Sequence, residues 1–120
     1  MDGLPGELGE QMGAVKMVVL YPPPKDEAAF EKVYLEEHIP MAVAKLGGKT
    51  KMVASKIRSA PSGGRAPFHR MAEIHFPSIR ALEACLASPG GQETAAHAVE
   101  ISSGGPPIFM IAEEKAQTFG

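Results

Sequence analysis

The apolar run "MVVLY" at 17 to 21, followed at once by three prolines at 22 to 24, constrains the fold more than any other stretch of the chain. From Val15 onward its β-branched and aromatic residues favour a strand, and three prolines supply no ladder donors, so that strand ends at Tyr21. Alternation sets Met17, Val19 and Tyr21 on one face and Val18 and Leu20 on the other. Both faces are apolar, so both need cover, and a single layer of helices can supply only one side.

The other elements follow from period and punctuation. Asp26 can cap a helix over about 26 to 45, in which Phe30, Val33, Tyr34, Met41 and Ala44 recur at helical spacing, and Gly47-Gly48 stops it. Residues 49 to 60 predict a second strand, "PSGGRAP" at 61 to 67 a turn, and "FHRMAEIHF" at 68 to 76 a third strand. Ile79, Leu82, Cys85 and Leu86 form one apolar helix face, on which Cys85 acts as a small hydrophobe. Ser88-Pro89 then offers the cap and first-turn proline of a further piece, so the second helix is bent or double. "SSGGPP" closes it, and "IFMIAEE" at 108 to 114 is the last strand, with Ile108 and Met110 opposing Phe109 and Ile111.

The resulting order, βαββαβ, predicts an α+β, ferredoxin-like domain: a four-stranded antiparallel sheet with both helices on one face. The bare apolar face predicts a homodimer formed through the sheets. Residues 1 to 13, with glycine at 3, 6, 9 and 13, are expected to form a flexible arm, and residues 14 to 120 a single domain.

Charge narrows the partners. Twelve basic residues against 14 acidic ones, with no basic run, argue against nucleic acid. An apolar run of this length is far short of the ~20 residues of a membrane span. A single cysteine and no leader-like start point to the cytoplasm. Neither a Gly-x-Gly-x-x-Gly after a strand nor a Walker-type loop occurs, so no nucleotide cofactor is expected.

"YLEEHIPM" at 34 to 41 carries the candidate chemistry. Pro40 lacks an N–H and crowds the carbonyl of Glu36, at a cost of roughly 3 kcal/mol in a regular helix, so a kink beside His38 is expected. Tyr34 and His38 are four apart and share a wall, while a 100° wheel places Glu37 near the centre of the apolar stripe. An imidazole with an ordinary pKa of roughly 6.5 can act as a general base there, oriented by Tyr34 or Glu37. The competing reading is a packed histidine bonded to a backbone carbonyl at the kink.

Three separated motifs carry a resemblance. Tyr34-x-x-x-His38-x-Pro40, "SPGGQ" at 88 to 92 and Ser103-Gly104-Gly105 occur in an order that resembles the EthD family, named from ethyl tert-butyl ether degradation, within the dimeric α+β barrel superfamily. The likeness runs from about Val15 to Glu113; the chain departs from it at His97, where the family usually has Asp, and at Glu100-Ile101, where it usually has Asn-Phe. The resemblance implies two subunits forming a dimeric α+β barrel, with a cavity between helices and sheet for a small apolar organic ligand. It also implies either cofactor-free monooxygenase-like or isomerase/cyclase chemistry, or an accessory role beside an oxidoreductase such as a cytochrome P450 system.

On this reading His38 and Tyr34 are the catalytic candidates, and Met17, Val19, Tyr21, Phe30, Glu37 and Phe76 line the substrate site, with no cofactor and no metal. Arg70 is expected to reach solvent from the start of its strand. His69, Glu73 and His75 are expected on the open face, paired with basic residues such as Lys16 or Arg58 rather than holding a metal, and haem ligation by His97 is not expected.

Overall fold

The computed structural model describes residues 14–120, so the expected arm at 1 to 13 lies outside the described residues. Strand β1 (Val15–Tyr21) occupies the interior of a sheet ordered β2-β3-β1-β4, with β2 (Lys51–Lys56), β3 (Arg70–Phe76) and β4 (Ile108–Glu113) all antiparallel to their neighbours. This is the expected four-stranded α+β arrangement. Val15, Met17, Val19 and Tyr21 are buried beneath the helices, while Val18 and Leu20 on the reverse face are half-buried. The strand runs are shorter than expected at β2 and β3, because the chain leaves the ladder after Ile57, whose N–H donates to the His69 carbonyl at 2.9 Å.

The helical layer begins with α1 (Glu27–Val33), capped as expected by Asp26, whose carboxylate accepts from the Ala29 N–H at 3.0 Å. A π-helical turn, Tyr34–His38, follows, and α2 (Ile39–Lys45) continues from it. The Ile39 N–H reaches back five residues to the Tyr34 carbonyl. Such a widened turn is what Pro40 favours: it has no N–H to complete an α-helical bond, and its ring crowds the carbonyl four residues before it.

The π turn changes which residues face the sheet. Phe30, Tyr34, His38, Ala42 and Leu46 are buried, one every fourth residue. A regular α-helix would drift by about 40° at each such step, and the wider turn absorbs that drift. Glu37, expected near the middle of the apolar stripe, is instead exposed, and Ala44 with it, while Met41 is only half-buried. The expected phase assumed one uninterrupted α-helix, and the extra residue in the turn rotates it away.

The second helix is double, as expected. In α3 (Ile79–Ala87) Ser78 accepts from the Ala81 N–H, and in α4 (Pro89–Ile101) Ser88 accepts from the Gly91 N–H with Pro89 in the first turn. Leu82, Cys85 and Ala98 complete a core that also holds Ala72, Ile74 and Phe76. Among the described residues no helix is long and apolar enough to cross a membrane.

The two glycine motifs have steric roles. A Cβ at Gly91 would overlap the Cys85 carbonyl oxygen, and one at Gly104 would overlap the Pro23 carbonyl oxygen, both backbone atoms that cannot swing aside. Gly91→Ala and Gly104→Ala should each cost about 3 kcal/mol or more, at or above the upper end of overpacking losses. Gly47→Ala, with nothing within 4 Å of its Cβ, should stay within about 0.5 kcal/mol, as measured by urea denaturation.

Candidate functional site

Spacing every fourth residue stacks rings. Phe30 lies on Tyr34 (centroids 5.4 Å, planes 15° apart), Tyr34 on His38 (5.8 Å, 18°) and His38 on His97 of α4 (5.1 Å, 15°). Tyr21, rising from the end of β1, meets this column edge-on at 5.4 Å from Phe30, 5.3 Å from Tyr34 and 6.3 Å from His38. Edge-on and offset aromatic contacts each add roughly 0.5–1.5 kcal/mol beyond the area they bury, so the column is a stiff support.

A polar string crosses the column. The Tyr21 hydroxyl lies 3.2 Å from His38 Nε2, and His38 Nδ1 lies 2.9 Å from His97 Nδ1. His38 is buried, whereas His97 is half-exposed. Burial, with His97 beside it as a lesser cause, pushes the His38 pKa down to about 4. Near pH 7 the His38 ring is therefore neutral and carries a single N–H. The string can then be arranged in two ways: Tyr21 donates to His38, which donates to His97, or both bonds are reversed.

Tyr34 is fully buried, and its hydroxyl has no hydrogen-bond partner among the described residues. Burial raises its pKa to about 12 against the opposing charge of Arg70, so it remains a donor at any ordinary pH. The Arg70 guanidinium carbon sits 5.1 Å from the centre of the Tyr34 ring. Contrary to expectation Arg70 does not reach solvent: it is buried and donates two bonds to Glu31, at 3.0 Å from Nε and 2.6 Å from Nη2. His69 Nε2 bonds the same carboxylate at 2.8 Å. His69 was expected on the open face, but it precedes β3, so strand alternation does not govern its direction. Arg70 holds the Glu31 pKa down to about 2, with His69 assisting against the effect of burial.

Between this frame and the sheet lies a cavity of ≈ 30 Å³, room for about two water molecules. Tyr21, Tyr34 and His38 reach its wall together with apolar Met17 and Val19, as the sequence placed them; Phe109 of β4, 40% exposed, also lines it and so stands at its mouth. Three expected members do not line it. Phe30 supports Tyr34 from behind; Phe76 pairs with Val15 at the far end of the sheet from Tyr21; Glu37 faces solvent. Alternation assigns a residue to a face but not to a height along it.

His97, noted in the sequence as a departure from the family pattern and not expected to hold haem, was left out of the expected site. Its signal was its phase on α4, next to the buried positions Thr94 and Ala98, but only the packing of α4 against the π turn reveals its partner. On the open face, Lys16 pairs with Glu73 at 2.6 Å, as expected.

Comparison with known proteins agrees with this architecture. The model of the EthD domain family matches residues 22–102. An uncharacterized 11.0 kDa protein from the thcB-thcC intergenic region of Rhodococcus erythropolis is 29% identical over 99 residues, 82% of this chain and 94% of that one. The crystal structure of an EthD family protein from Bacillus halodurans superposes with a TM-score of 0.78 at 27% identity, covering 85% of this chain and 99% of that one. SnoaB, a cofactor-independent oxygenase from Streptomyces nogalater, shares the fold with a TM-score of 0.61 at 17% identity, over 88% and 96% of the two chains.

Of the groups shifted in the acid range, His38 and Glu31 are moved furthest, and Glu73 is lowered less by its bond to Lys16. Unfolding lets His38 take up a proton that the folded chain refuses until about pH 4, so stability falls as pH drops from 6.5 to about 4. The loss is on the order of 3 kcal/mol. Ionised Glu31 stabilises the fold above pH 4.5, and that contribution is lost as pH falls toward about 2. Urea denaturation across pH should show both slopes: His38→Gln flattens the upper one, and Glu31→Gln flattens the lower one while lowering stability at neutral pH.

Proposed function

The chain belongs to the EthD domain family, and on that premise we propose that it binds a small, mostly apolar organic molecule in the helix–sheet cavity and moves a proton on it without a cofactor. The observation that carries this reading is the string Tyr21–His38–His97, which joins the cavity wall to the protein surface. A base whose conjugate acid has a pKa of about 4 is a poor store of protons but a good conduit. In the step proposed, a bond from the substrate to hydrogen breaks and its proton passes to the Tyr21 oxygen as the Tyr21 proton passes to His38 Nε2. The Nδ1 proton of His38 moves at the same time to His97 Nδ1, so His38 stays uncharged and the positive charge emerges at the half-exposed ring.

Tyr34 completes the arrangement. Its unpartnered hydroxyl is a donor for a substrate oxygen on which negative charge develops. The substrate class is therefore a small ketone or phenol, apolar apart from one oxygen. Isomerisation and cyclisation begin with such a deprotonation, and so does direct oxygenation of an electron-rich anion, the kind of chemistry that the name of SnoaB describes for a protein of the same fold. In the described state the cavity holds only water-sized guests, so entry requires side chains at its wall to yield; Met17 and Met52 are the adaptable ones.

The test is deuterium exchange. Small ketones incubated with the protein in D₂O should gain deuterium beside the carbonyl, as followed by NMR. His38→Gln should slow this by about 10²–10⁴-fold while thermal unfolding stays cooperative. Tyr34→Phe should slow it as well, without altering the pH range in which the protein is folded. Binding without exchange would overturn the acid–base reading in favour of an accessory protein that presents a pathway intermediate to an oxidoreductase.

We also propose that two copies pair through the open sheet face. Ile108, Phe109, Met110 and Ile111 of the edge strand β4 are 40–52% exposed, on both faces of the strand. The register sets Val18 beside Met110 and Leu20 beside Ile108, which makes the apolar surface continuous from β4 into β1. An uncovered apolar edge of this kind would template aggregation, and a second copy removes it. Sedimentation should give a dimer at micromolar concentration, and Met110→Glu a monomer; a monomeric parent chain would refute the assembly.

A further inference from the structure

The loop between β2 and β3 forms a groove of ≈ 830 Å³ with the segment that enters α1. That size is within the range of small-molecule sites, roughly 300–1,000 Å³. Its charge is one-sided. Lys25, Lys56, Arg58 and Arg65 line it against a single acid, Glu27, in a chain whose net charge is −2. Lys56 and Glu27 lie 3.3 Å apart, both about half-exposed, a pairing of little strength. Lys25, Arg58 and Arg65 have no carboxylate partner among the described residues.

The half-buried carboxylate of Glu31 does not neutralise the groove. His69 forms part of the groove wall, but its partner Glu31 is held from the other side by two bonds from Arg70. The walls are also fastened. Within the loop the Gly63 N–H donates to the Ala60 carbonyl and the Ala60 N–H to the Gly64 carbonyl, both at 2.9 Å. Opposite, the Lys25 N–H donates to Ser103 Oγ at 3.1 Å, and Gly104 packs against the Pro23 carbonyl. Four cations gathered on a braced, concave surface repel one another unless an anion joins them.

We propose that this groove is a second binding site, separate from the cavity beside His38, and that it takes a small molecule bearing a phosphate or diphosphate group. Two of the four cations are arginines, whose planar forks match phosphate oxygens in pairs. Phe68 and Ile57 add apolar wall for an organic portion attached to the phosphate. No glycine-rich nucleotide loop is involved; the charge comes from side chains on three separate segments, which explains why no run of basic residues marks the site in the sequence.

Titration of the full-length protein with inorganic pyrophosphate and with ADP, followed by calorimetry and amide NMR, tests the site. Saturable binding of pyrophosphate or ADP, weakening with salt and shifting the amides of Arg58, Gly63, Gly64 and Arg65, is the expected result. Arg58→Glu with Arg65→Glu should weaken it at least tenfold, and Lys32→Glu, an exposed change outside the groove, should leave it unaltered. Absence of saturable binding, equal binding by the double variant, or citrate binding as tightly as pyrophosphate would each overturn the proposal. The deuterium exchange assigned to His38 is a separate readout, so either site can fail without the other.

Discussion

A column of rings, Phe30 on Tyr34 on His38 on His97, depends on one irregularity of the backbone. Side chains four residues apart stay in line only if the helix is locally wider than an α-helix, and the π turn at Tyr34–His38 supplies that width. Once the rings are aligned, the rest follows from packing. Tyr21 can enter edge-on, Arg70 can lie over the Tyr34 face, and α4 must approach closely enough for His97 to meet His38. Gly91 permits the tight junction of α3 and α4 from which His97 projects, so a glycine remote from the histidines helps to set their separation.

The charges are divided between two sides of the same column. Glu31, Arg70 and His69 satisfy one another on one side, and His38 is hydrogen-bonded to Tyr21 and His97 with no carboxylate on the other. This division is why the pKa shifts run as they do. The carboxylate is stabilised in its charged form by direct donors, whereas His38, with no carboxylate against it, is pushed toward the neutral form by burial.

Much of the fold could be read from composition and period. The prolines after Tyr21, the caps at Asp26 and Ser88, and the alternation of β1 are local signals with local causes, and each lies where expected. What escaped was non-local or irregular. A helical wheel assumes a constant angle per residue, so the π turn sent Glu37 outward when the wheel had turned it inward. Arg70 looked like a strand-end charge bound for water because its partner lies 39 residues earlier. Of the site, Tyr21, Tyr34 and His38 were legible as a group from spacing and face. His97 had a phase on α4 and stood out as a departure from a family pattern, but the contact that gives it meaning spans 59 residues.

The contact between the two Nδ1 atoms has room for one proton, and this gives the string a memory. Whichever way its hydrogens point, passing one proton along it leaves every bond reversed, so the wall that has just accepted a proton offers a donor next. A second event of the same kind must wait until the chain of tautomers is reset from the His97 end, where water has access. On the proposed reading, the pace of repeated use is governed at the surface, by a ring that is not among those lining the cavity.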